Sequence, residues 1–207
     1  MFGRILLAVG CLAASAIGAA AQDRMPPIPA DRLTEAQKKA VEEFKAARNA
    51  DISGPFVPLL RSPEVMSRAR AMGDYLRFRS VLPPRLSEFV ILMTARSWTQ
   101  QYEWDAHYRL ALNAGLKEEI AKAIAEGRRP QGMQDDEELL YVFCDEVRKN
   151  QGVSDQTYSR MVAKFGEQGV IDTVGIMGYY TTLAMVMNTA QTPLPAGTTP
   201  PLKPLPR

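Results

Sequence analysis

Two cysteines and a single histidine in 207 residues exclude more function classes than any motif in the chain does. Cys11 lies in a leader-like stretch and Cys144 in the run Leu-Leu-Tyr-Val-Phe-Cys. Once the leader is removed, one thiol remains, and neither an internal disulfide nor a two-thiol redox centre can be built from it. Cys144 reads as a small buried hydrophobe, because nothing beside it in sequence would lower a thiol pKa. The single histidine leaves Glu88, Glu103 and His107 as the one oxygen–oxygen–nitrogen metal set to weigh, with no second histidine to support it. No metal and no other cofactor is expected.

Charge of one sign is also scarce. The formal net charge is +2 and basic residues are interspersed with acids, so the chain has no long basic stripe and no nucleic-acid partner is expected. The apolar run Ile5 to Ile17 falls short of the roughly 20 residues that an ordinary membrane span needs. No later segment is apolar without interruption for that length, so no stable membrane insertion is expected. A convincing alternation of apolar and polar residues is missing throughout, which argues against strands.

What is present begins with an export signal. Arg4 supplies a positive start, Ile5 to Ile17 an apolar centre and Ala19-Ala20-Ala21 a small-residue cleavage site, so the mature chain is expected to begin near Gln22, in a bacterial periplasm. The expected organisation is a signal peptide over 1–21, an N-terminal helical segment over 22–54, one domain over 55–190 and a proline-rich tail over 191–207. That tail favours extended backbone and reads as an arm or a disordered tail, an arm lying on a neighbouring subunit being the favoured reading.

Helix signals fill the rest. Thr34 with Gln37 makes a capping box for a helix to about Asn49. Ser62-Pro63-Glu64 starts a second, to about Ser80, with serine as cap, proline in the first turn and an acid near the positive end of the dipole. The pattern then predicts helices over about Pro84 to Trp98, Gln100 to Asn113, Lys117 to Glu126, Asp135 or Asp136 to Asn150, Ser154 to Phe165 and Glu167 to Asn188. Val170, Val174, Met177, Met185 and Met187 at helical spacing read as core or subunit interface. The fold class is all-α, a single domain. Its helices carry more apolar residues than one small bundle buries, so a homo-oligomer is expected.

The chemistry concentrates between residues 84 and 113. Gln100, Glu103 and His107 stand at i, i+3 and i+7 and project from one helix face, while Glu88 begins the preceding, nearly all-apolar helix. If these helices pack as neighbours, two carboxylates converge on the only histidine. The pattern Gln-x-x-Glu-x-x-x-His, with a glutamate nineteen residues before the histidine, resembles the carboxymuconolactone decarboxylase and alkylhydroperoxidase D superfamily. The peroxidase branch of that superfamily carries Cys-x-x-Cys-x-x-x-His; here Gln100 and Glu103 occupy the thiol positions. Tyr102-Glu103-Trp104-x-x-His107, followed by Ala111-x-x-Ala114-Gly115-Leu116, is similar to the decarboxylase-like branch. The resemblance is strongest over 84–124 and extends over 55–188.

The resemblance implies an alkylhydroperoxidase D-like helical domain that oligomerises and acts on a small carboxylated lactone or related molecule. In that reading His107 transfers a proton or stabilises an anion, Glu103 tunes and orients it, and Glu88 is a second acid–base group or a structural partner. Gln100 and Arg96 are candidate substrate-binding residues, Arg96 as a carboxylate clamp or else a member of a salt bridge. Peroxidase chemistry lacks its thiols. A noncatalytic small-molecule-binding or structural oligomer stands as the alternative.

Overall fold

The computed structural model describes residues 22–204, so the export signal expected over 1–21 lies outside the described residues. Eight α-helices and one short 3-10 turn account for the regular structure, with no strand among the described residues. The all-α expectation is met. The helices are α1 (Glu35–Arg48), α2 (Phe56–Leu59), α3 (Pro63–Phe78), α4 (Pro84–Ser97), α5 (Gln101–Asn113), α6 (Glu118–Ala125), α7 (Asp135–Asn150) and α8 (Asp155–Ala190).

Local chemistry sets most boundaries. Thr34 and Gln37 form the expected capping box, and Ser154 Oγ accepts from the Thr157 amide to start α8. Two expected caps are different. The Ser62 side chain makes no capping bond, leaving Pro63 to begin α3 through its preset φ. Gln134 rather than Asp135 or Asp136 precedes α7: its amide donates to Glu137 Oε2 at 2.8 Å, which shifts both aspartates into the first turn. α2, a single turn, has no counterpart in the sequence pattern.

α4 is the central element, touching α3, α5, α6, α7 and α8. Leu86, Phe89, Val90, Leu92 and Ala95 are fully buried, so this helix is apolar nearly all round because other helices surround it. Arg85 fixes its start. The guanidinium donates to Asp136 at 2.8 Å and to Glu137, tying α4 to the first turn of α7 around a carboxylate that is only 1% exposed.

α8 bends at Gly166, whose φ of 70° and ψ of 173° lie in a region open essentially only to glycine. Helical segments over 155–165 and 167–190 result, which is the division the sequence pattern predicts. Among the described residues α8 is the one helix long and apolar enough to cross a membrane by length and composition, but half of that window is buried in the protein. Of its apolar set, Val170 and Met187 are core, whereas Val174 and Met185 are exposed. Gly73 on α3 lets α8 approach closely, since a Cβ there would come within 2.3 Å of the Tyr179 hydroxyl.

The tail folds back on its own chain instead of extending away. Leu202 is buried in the core, and the Gln101 side chain clasps its backbone through two hydrogen bonds of 2.7 and 2.9 Å.

Candidate active site

The site is built at the junction of α4 and α5, which spans only Trp98, Thr99 and Gln100. The junction is a Schellman-type stop: the Gln100 amide donates to Ala95 O at 2.9 Å and the Thr99 amide to Arg96 O at 3.0 Å. Its left-handed position is filled by Thr99 at φ 48°, a costly place for a β-branched residue. The turn delivers Gln100 to the start of α5, where its Oε1 accepts from the Tyr102 and Glu103 amides at 2.7 and 3.1 Å. Gln100 Nε2 donates to Asn188 Oδ1 at 2.9 Å, and Asn188 in turn donates to Trp98 O. Gln100 is therefore a helix cap that anchors the end of α8, and its oxygen is committed to backbone rather than to a ligand.

α5 ends as its sequence predicts. Gly115 takes a φ of 96°, and Leu116 N donates to Ala111 O at 2.9 Å, closing the helix one turn beyond the site.

Glu88 and His107 meet across the two helices, with Nδ1 of the imidazole 2.7 Å from Glu88 Oε2. Both residues are buried. A carboxylate acceptor at Nδ1 assigns the ring proton to that nitrogen in the neutral imidazole and leaves Nε2 as an acceptor. The orienting bond expected from Glu103 thus comes from Glu88, because the α4–α5 packing, not the turn of α5, sets the nearest carboxylate.

Glu103 is one helical turn before His107 and is only 3% exposed. Neither of its carboxyl oxygens has a hydrogen-bond partner among the described residues. Burial pushes its pKa well above the ordinary 4.5 and so favours its protonated form. Two carboxyls therefore sit near one imidazole in opposed environments, one hydrogen-bonded to the ring and one bare. That separation is how an acid and a base are assigned within one site.

Tyr180 completes the surroundings and was invisible in the sequence motif, because it arrives from α8. Its ring stands edge-on to His107 with centroids 5.0 Å apart. Burial, opposed by Arg77 and reinforced by Glu88, holds its phenol protonated well above the usual range. Only the presence of an aromatic on the final apolar helix hinted at it.

Arg96 is elsewhere. It is 4% exposed, and none of its three guanidinium nitrogens has a partner among the described residues. The salt-bridge alternative is therefore not what the structure shows. Its cavity is lined by Met93, Tyr141, Asp145 and other residues of α4 and α7, with none of Glu88, Glu103 or His107 in the wall. Among the described residues no group of three or more His, Cys, Asp or Glu side chains is gathered to hold a metal ion. Cys144 is buried, and desolvation pushes its thiol up to about 12.

An all-helical scaffold with this arrangement has a counterpart among solved structures. The chain is similar to the crystal structure of an Agrobacterium tumefaciens protein of unknown function, named there as a candidate antioxidant defence protein AhpD. The TM-score is 0.59 at 18% identity, covering 67% of this chain and 95% of the other, a likeness that shows the fold alone. The fold is AhpD-like. Residues 63–134 match the Carboxymuconolactone decarboxylase family. The matched segment runs from the start of α3 to the threshold of α7 and contains Glu88, Glu103 and His107. No curated protein matches the chain in sequence.

Proposed function

We propose that the protein is an exported acid–base enzyme acting on a small carboxylate, lactone or carbonyl compound at Glu88, Glu103, His107 and Tyr180. The observation that carries this reading is the buried 2.7 Å contact between Glu88 and His107, with the buried, unpartnered carboxyl of Glu103 one helical turn away. Glu88 would hold the imidazole in one tautomer and stabilise its cationic form. Glu103 would supply the proton. For a β-carbonyl carboxylate, the carbon–carboxylate bond breaks, carbon dioxide leaves, and the electron pair passes into the adjacent carbonyl as an enolate. One proton then moves from Glu103 to carbon, and solvent restores it to the carboxyl. His107 would stabilise the enolate oxygen in its cationic form and keep that charge paired with Glu88.

Thiol peroxidase chemistry gains no support from Cys144, whose burial and raised pKa suppress the thiolate. The second reading, a noncatalytic binding or structural oligomer, is favoured by the deep burial of the Glu88–His107 pair. Exposed Ile171, Val174 and Met185 on one side of α8 support a homo-oligomer under either reading. Screening small lactones and β-keto acids against the wild type and His107→Gln decides between them. The catalytic reading requires turnover that falls by about two or more orders of magnitude in a folded variant. Substrate binding without turnover would favour the second. Export is tested by mass spectrometry of the protein from its native host, with a start near Gln22 expected in an extracytoplasmic fraction.

A further inference from the structure

Arg96 is the one charged residue of α4 without a partner among the described residues. A guanidinium keeps its proton across the accessible pH range, so burial cannot be relieved by neutralisation as it is for Glu103. Arg96 is among the residues that line a cavity of about 150 Å³ between α4, α6 and α7. Three arginines line this cavity, Arg96, Arg128 and Arg148, against the single carboxylate of Asp145. The other charges are met. Arg128 is paired with Glu126, and Asp145 accepts from Arg148 at 2.8 Å and is bridged by Lys149 at 2.8 Å. Asp145 makes no hydrogen bond to Arg96, whose planar fork is thus left available to a two-oxygen acceptor.

A second cavity, of about 360 Å³, shares Met93, Ser97 and Arg148 with the first as walls. Its remaining lining is largely apolar and includes Cys144, Val147, Val174 and Met177. Gly178 also lines it, and a Cβ built there meets no atom within 4 Å. A buried cationic fork beside an apolar chamber matches a ligand with an anionic head and a hydrocarbon body. We propose that these adjacent cavities together bind a monocarboxylate with an apolar chain of several carbons, its head on Arg96 and its body against Met93, Val147 and Met177. The site is separate from the His107 chemistry, because neither cavity has Glu88, Glu103 or His107 in its wall.

Octanoate is the probe, with octanamide, acetate and sulfate as controls, read by calorimetry and thermal unfolding of the full chain. Octanoate at about a hundredfold excess over its Kd should raise the Tm by about 5 °C or more. Octanamide lacks the charge, and acetate and sulfate lack the body, so each should bind at least tenfold more weakly. Arg96→Met should cut octanoate affinity at least tenfold, as should Gly178→Leu, which fills the apolar chamber without touching Arg96. Affinity for octanoate should be unchanged in His107→Gln. Equal stabilisation by sulfate or by octanamide overturns the proposal, as does octanoate binding retained in both cavity variants or lost in His107→Gln.

Discussion

α4 carries three buried or nearly buried charged residues, and their fates differ along its length. Arg85 at its start is matched by Asp136 and Glu137, Glu88 one turn later by His107, and Arg96 near its end by nothing among the described residues. All three cost desolvation, but only the first two recover it within the fold. Across the junction Glu103 repeats the contrast, since it is buried like Glu88 yet has no hydrogen bond. The paired charges fix how α4 sits against α5 and α7. The unpaired ones make no such bond, which is why chemistry and ligand binding are assigned to them.

The comparison is broken most severely at Arg85. Arg85→Met leaves the nearly inaccessible Glu137 carboxylate without its main partner, and urea unfolding should register a loss of about 3–5 kcal/mol. Arg96→Met removes a charge that has no partner to abandon, so the same assay should show no loss in anion-free buffer. A comparable loss at both positions would erase the distinction between them. Next in size is the catalytic pair. With an active substrate in hand, His107→Gln should reduce kcat by about two orders of magnitude or more while the unfolding midpoint changes little. A large stability loss with unchanged turnover would return the Glu88–His107 bond to a purely structural role.

Glu103 should show its effect as a pH slope. The folded chain keeps a proton that the unfolded chain releases near 4.5, so the stability this group permits is fully present below that value and is lost as pH rises through the folded pKa. Glu103→Gln, neutral at every pH, should flatten that fall and leave the variant more stable than wild type at pH 8, though impaired in proton delivery. Denaturant midpoints at pH 4 and pH 8 measure it. The smallest effect belongs to the junction: Thr99→Asn, better suited to positive φ, should gain about 1 kcal/mol.

Much of the scaffold was legible because its signals are local. The Thr34–Gln37 box, the Ser154 cap, the Gly115 stop and the Gly166 break each act within a few residues, and each falls where the chain places it. The nineteen-residue spacing also brought Glu88 and His107 together as neighbours. Other tertiary partners were not legible. Whether Gln100 caps a helix or faces a ligand depends on the Thr99 turn and on Asn188, eighty-eight residues away. Tyr180 reaches the imidazole from α8, whose Tyr179 packs over Gly73, and the tail docks with Leu202 in the core and clasped by Gln101. Arg96 gave no sign of lacking a partner, since absence of a contact has no sequence pattern.

The central claim is that a buried, proton-bearing Glu103 stands beside a Glu88-oriented imidazole. Carboxyl-carbon NMR of protein labelled at glutamate, with the Glu103 resonance assigned through Glu103→Gln, reads that protonation state directly. The expected result is a resonance still protonated at pH 7 that titrates far above the ordinary carboxylate value of 4.5. A Glu103 signal that titrates near 4.5 would contradict the account.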